Sequence, residues 1–91
     1  MAMGDARMIE WEHDEDTDGL IARLGDPEHV TLHVEPAQYV DVTYYDGHVR
    51  AGDFDMHVGC WESVERCKSI LVGEVPKALR AIADEIEREA K

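Results

Sequence analysis

Two groups of side chains in this sequence are of types and spacings that can do chemistry. The first is Asp53-Phe54-Asp55-Met56-His57. In an extended segment Asp53, Asp55 and His57 share one face, where neighbours two apart can meet one metal ion. Cys60 and Cys67 follow, and cysteine with histidine suits zinc. The spacing is unhelpful, however: His57-x2-Cys60 lacks a second pair, and Cys60-x6-Cys67 is not a usual ligand interval. On a helix the two cysteines stand about 10 Å apart along the axis, too far for a disulfide. Two reduced, buried thiols in an intracellular protein are the expected state. The second group is His33, Asp41, Tyr45, His48 and Arg50, which alternation assigns to the outward face of a sheet. Histidine beside a carboxylate can act as a base, and arginine can bind an anion. The same residues also describe an ordinary solvated sheet face. No nucleophile elbow, phosphate-cradling glycine loop or supported Cys–His pair accompanies them, so a non-enzymatic protein without a cofactor is expected.

A third stretch, His13 to Ile21, reads HDEDTDGLI. Its register Asp14-x-Asp16-x-Asp18-Gly19-x-Ile21 resembles the first eight positions of an EF-hand calcium loop. That resemblance implies oxygen ligands from Asp14, Asp16 and Asp18, a backbone carbonyl from Leu20, and a sharp turn at Gly19. The twelfth position, where the loop needs a bidentate glutamate, is Gly25. The flanking segments read as strands, where an EF-hand has helices. Aspartates and Thr17 ahead of a short helix can instead accept hydrogen bonds from its free N–H groups. Helix capping is therefore the expectation, with a weak cation site at Asp14, Asp16 and Asp18 as the alternative.

Charge is the broadest signal. Twenty-one acids face nine bases, a net charge of −12, and only Lys68, Lys77 and Lys91 are lysines. The excess is uneven: residues 1–65 hold sixteen acids against three arginines, whereas residues 66–91 hold six bases and five acids. Such a field disfavours nucleic acid and anionic membranes and attracts basic protein surfaces. The residues expected to meet a basic partner are Glu10, Glu12, Asp14, Glu15, Asp16, Asp18, Asp41 and Tyr45. No apolar run approaches the roughly 20 residues of a membrane span, and MAMGDARM lacks the pattern of a signal peptide. A cytoplasmic protein is the expectation.

The elements that must position these groups follow from periodicity. Ninety-one residues make one domain, with the first six read as a flexible lead. Arg7–Glu12 and His29–Glu35 alternate as strands, the latter closed by Pro36. Gly19–Leu24 reads as a short helix stopped by Gly25-Asp26-Pro27. Asp46-Gly47 suits a two-residue hairpin turn. That register turns Val40, Val42, Tyr44, Val49 and Ala51 inward, and Asp41, Thr43, Tyr45, His48 and Arg50 outward. Cys60, Val64, Cys67 and Leu71 share a helical stripe, which predicts a helix over 61–69, although Ser69-Ile70-Leu71-Val72 reads equally as a buried strand. Val75, Ala78, Leu79, Ile82, Ala83 and Ile86 form one continuous apolar stripe, with Pro76 in the first turn. The prediction is an α+β fold: a small antiparallel sheet of about four strands, a short helix after strand 1, and a C-terminal amphipathic helix packed on one face.

Three functional readings follow. The first is an acidic binding protein that engages a basic partner, as an inhibitor, a nucleic-acid mimic or an immunity-type protein. The second is a small domain whose acidity serves solubility in a salt-rich cytoplasm. The third is a metal-binding regulator. A homodimer through an edge strand, either the first strand or His48–Asp53, is a further expectation.

Overall fold

The computed structural model describes residues 9–25 and 29–90. The expected lead at 1–6, Arg7, and part of the expected stop at Gly25-Asp26-Pro27 lie outside the described residues. Five antiparallel strands run in chain order as a meander: β1 (Glu12–Asp14), β2 (Gly19–Leu24), β3 (Val30–Tyr39), β4 (Val42–Ala51) and β5 (Phe54–Trp61). A helical rod follows, made of α1 (Val64–Ser69), a π-helical turn (Ile70–Glu74) and α2 (Val75–Glu89). The α+β class, the antiparallel sheet and the C-terminal helix match the sequence-based expectation. The strand count and the helix after strand 1 do not.

Gly19–Leu24 is β2, not a helix, and it joins β1 through a hairpin that pairs Asp14 with Gly19. Six mostly apolar residues do not discriminate the two periods by themselves. Pairing decides: Ala22 and Leu32 oppose each other in the β2–β3 ladder, and both are buried.

Asp46-Gly47 is not a turn. It lies inside β4, where Asp46 opposes Glu35 and Gly47 opposes Val34. The chain reverses instead at Val40-Asp41, between the paired Tyr39 and Val42, with Val40 at φ 55°. It reverses again at Gly52-Asp53, where Gly52 has φ 60°. Glycine is needed at 47 for clearance: a Cβ there would stand 3.3 Å from the Leu71 side chain and 3.3 Å from the Trp61 ring. Pro36 does not close its strand either. β2 ends opposite Val34, so beyond that point β3 is paired with β4 alone, a setting in which a residue without an N–H is tolerated.

Without a turn at 46–47, strand parity runs unbroken through β4, and half of the expected facing is corrected. His48 and Arg50 face outward and Val49 is buried, as expected. Tyr45 lies on the helix side, packed against the core, and not on the outward face. Val40 and Val42 are exposed. Ala51 is exposed at the strand end.

The core lies between the sheet and the first half of the rod. Ala22, Leu32, Val34 and Val49 meet Cys67, Leu71 and Val75. Trp11, Tyr45, Met56 and Trp61 pack around them. Trp61 ends β5, so the helix begins later than the predicted 61–69 and Cys60 belongs to the sheet. Ser63 caps α1, its Oγ accepting from the Arg66 N–H at 2.9 Å. The rod widens to a π turn just before Pro76, with the Val75 N–H donating to the Ile70 carbonyl. A proline there cannot donate, and its ring would crowd the carbonyl four residues back in a regular α-helix.

α2 does not lie across the sheet. Val75 is its buried residue, and beyond Pro76 the helix projects into solvent, with Leu79, Ile82 and Ile86 exposed by 38%, 52% and 62%. The described molecule is correspondingly elongated, 49 × 30 × 26 Å. The 3.6-residue stripe is present, but past Val75 the sheet does not bury it.

Candidate functional site

The sheet face turned away from the rod gathers the chemically capable residues. Cross-strand register places His33 opposite His48, and His48 opposite His57, in a row over β3, β4 and β5. Glu35 follows His33 by two residues on β3. Asp46 and Arg50 flank His48 on β4, and Asp55 precedes His57 by two on β5. Alternation therefore puts all of them on one face. The β4–β5 register slips at Gly47/His48, so that β5 carries one extra residue there. Such bulges redirect the side chains around them.

The distances make this a cluster and not a set of closed pairs. His57 Nε2 lies 3.4 Å from Asp46 Oδ1. His48 stands between two carboxylates, its Nε2 3.7 Å from Glu35 Oε1 and its Nδ1 3.6 Å from Asp55 Oδ1. The His48 and His57 ring centroids are 4.9 Å apart. His33 is buried, with Nε2 2.8 Å from Thr31 Oγ1 and Nδ1 3.9 Å from Glu35 Oε2. Among the described residues, the Nδ1 atoms of His33 and His48 are buried without a hydrogen-bond partner. Burial, reinforced by the Arg50 guanidinium, pushes the His33 pKa down. Desolvation alone would raise the Asp55 pKa, but the hydrogen bond from Arg50 at 3.0 Å and the nearby positive groups outweigh it and hold the carboxyl below its usual range.

The sequence separated residues that the sheet unites. His33, His48 and Arg50 came from one expected group, Asp55 and His57 from the other. Glu35 and Asp46 belonged to neither metal nor catalytic reading, because Asp46 was assigned to a turn. Asp53 and Asp41 sit in turns, outside the cluster. Cys60, opposite Asp46 on β5, is exposed, and Cys67 is buried in α1; both thiols are free.

The acidic stretch from Glu12 to Asp18 forms the β1–β2 hairpin. Asp14 Oδ1 accepts from the Asp16 N–H at 3.0 Å, and Thr17 Oγ1 from the Gly19 N–H at 3.2 Å. The expected helix cap is corrected: there is no helix here, and these hydrogen bonds stabilise a hairpin turn. Asp18, at φ 66°, meets His13 at 2.9 Å, while Glu12 pairs with Arg23 at 2.7 Å. A four-residue turn between paired strands is no EF-hand loop. Among the described residues, the side chains placed to share a metal ion are instead Asp46, His48 and His57. Of the residues expected to meet a basic partner, Glu12, Asp14, Glu15, Asp16 and Asp18 are brought together on this hairpin. Glu10 precedes it, Asp41 lies in the β3–β4 turn, and Tyr45 is on the other face.

No protein-family model, curated protein or solved structure matches the chain.

Proposed function

We propose that the protein is a non-enzymatic binding domain of the cytoplasm whose acid-rich sheet docks on a basic protein surface. The division of charge by element supports this reading. Through Glu65, the described residues hold thirteen acids and two arginines; from Arg66 onward they hold five acids and five bases. The negative field is thus carried by the sheet, and the helical rod is balanced. Local hydrogen bonds fix the β1–β2 turn, which presents its carboxylates in a set geometry. A field of this kind steers a basic partner into contact and weakens as salt screens it.

Affinity capture from native lysate, using the wild type and the variant Glu12→Gln/Asp14→Asn/Glu15→Gln/Asp16→Asn/Asp18→Asn, tests this. Basic proteins held by the wild type, released by 0.5 M salt (where the screening length is about 4 Å) and missed by the variant are the expected result. Retention that ignores both salt and substitution overturns it.

The projecting part of α2 supports pairing with a second copy of the chain. A lone helix of this length is marginal in water, and Leu79, Ile82 and Ile86 form an uncovered stripe. Ala78, Ala83 and Ala90 flank it and allow close backbone approach. Arg80 and Glu87, seven residues apart, share one flank. Antiparallel pairing brings each Arg80 to the other copy's Glu87 and keeps the two acidic sheets at opposite ends, whereas parallel pairing sets them side by side. His48–Asp53 offers no free edge for the expected strand pairing, since β4 is an interior strand. Sedimentation of a dimer that Ile82→Asp converts to monomer is the expected result; a wild type that stays monomeric at high concentration removes the pairing.

A further inference from the structure

We propose that Asp46, His48 and His57 bind a divalent transition-metal ion of the zinc class on the outer face of the sheet. This goes beyond the partner-binding reading and does not depend on it.

Each of the three offers one ligand atom, and those atoms lie within 4.8 Å of one another. Ligands about 2.0–2.2 Å from a tetrahedral zinc sit roughly 3.4 Å apart, so a modest closing of the side chains suffices. His57 is half exposed and free to make it, with 55% of its side chain accessible. Two imidazoles and one carboxylate are the donor set that zinc, nickel and copper favour over calcium or magnesium. Three protein ligands leave a coordination position open to solvent.

Several features distinguish this cluster from an ordinary polar sheet face. His57 and Asp46 meet through a long hydrogen bond of 3.4 Å, and the His48–carboxylate distances of 3.6 and 3.7 Å lie beyond hydrogen-bond range, so His48 converges on the carboxylates without being satisfied by them. His48 Nδ1 is buried and has no hydrogen-bond partner among the described residues. Whichever nitrogen of His48 faces the ion, the other faces a carboxylate, Asp55 from Nδ1 or Glu35 from Nε2. A carboxylate behind a ligating histidine orients the ring and strengthens it as a donor. The bulge between β4 and β5 supplies the local irregularity that aims His48 and His57 together. The surrounding negative field raises the local concentration of cations.

The test is calorimetric titration of the full chain with Zn²⁺, and optical titration with Co²⁺. One equivalent of metal is expected, with Co²⁺ giving visible ligand-field absorption. Affinity falls by about tenfold or more in both His57→Ala and Asp46→Asn, each of which removes one donor. The hairpin variant Asp14→Asn/Asp16→Asn/Asp18→Asn binds as the wild type does. Both site substitutions fall on side chains with solvent access, and unchanged far-ultraviolet dichroism shows that each variant is folded. No heat at millimolar metal overturns the proposal. So does binding that survives both site substitutions, or binding abolished by Cys60→Ser alone.

Discussion

Gly47 of β4 faces Cys67 of α1 across the sheet–helix contact so closely that a Cβ on the glycine would lie 3.1 Å from the Cys67 sulfur. The thiol is therefore enclosed on its sheet side. Burial, with the negative charge of Asp46 behind it, pushes its pKa up to about 11. Cys60 is exposed on β5. Since the thiolate is the reactive form, a disulfide-exchange reagent near neutral pH will label one thiol of the native protein promptly, and Cys60→Ser will remove that phase. Labelling of Cys67 will require denaturant.

Leu71 and Ile82 belong to the same helical rod but to different environments. Leu71 is 2% exposed in the core, and Ile82 is 52% exposed. Leu71→Ala should cost about 2–5 kcal/mol, which is a large part of the stability of so small a domain. Ile82→Ala should change the monomer's stability by less than about 0.5 kcal/mol. Urea denaturation of both variants at low protein concentration makes the comparison.

Val40 occupies the β3–β4 turn at φ 55° and is 92% exposed. A β-branched residue is strained in the left-handed region, and nothing packs on its side chain to offset that. Asparagine tolerates the conformation and suits a two-residue turn. Val40→Asn should raise stability by about 1 kcal/mol, read as a higher denaturation midpoint at an unchanged slope.

His33 supplies an acid-sensitive element. Its pKa is lowered by burial and by Arg50, against the opposing pull of Glu35 and Asp14, while His48 adds to the lowering. Above the ordinary histidine range, near 6.5, the ring is neutral in both folded and unfolded chains and contributes no pH dependence. As pH falls below that range the unfolded chain takes up a proton before the folded one does, so stability declines. The melting temperature should fall between pH 7.5 and 5.5, and His33→Gln should show a smaller fall.

The net charge of −12 makes self-repulsion a general cost of compaction. Added KCl should raise the melting temperature as the screening length drops from about 10 Å at 0.1 M to about 3 Å at 1 M, and the gain should level off there. A gain that continues through several molar salt would assign the acidity to a salt-rich solvent and not to a basic partner.

Some of the local patterns in the sequence survive in the fold. The alternation expected over His29–Glu35 forms the first part of β3, from Val30 onward, and the stripe at Val64, Cys67 and Leu71 forms the packed face of the rod. Asp46-Gly47 shows where local reasoning stops. That dipeptide suits a turn, but Gly47 is required by the close approach of Cys67 and Leu71, residues some twenty positions away. Once the turn moved to Val40-Asp41, parity sent Tyr45 inward and put Asp46 on the same face as His48. Glu35 and Asp46 could join the histidines only through that register.

By itself, then, the sequence determined the α+β class, the alternation of individual strands, the apolar stripe of the last helix, and a charge excess confined to its first two-thirds. These depend on residue types a few positions apart, which local sterics and burial can read. Only the tertiary structure decided which turns close the hairpins, which strand faces which, and how far the sheet extends under the rod. Those are set by contacts between distant segments, and they place His33, His48 and His57 in one row while leaving Ile82 and Ile86 uncovered.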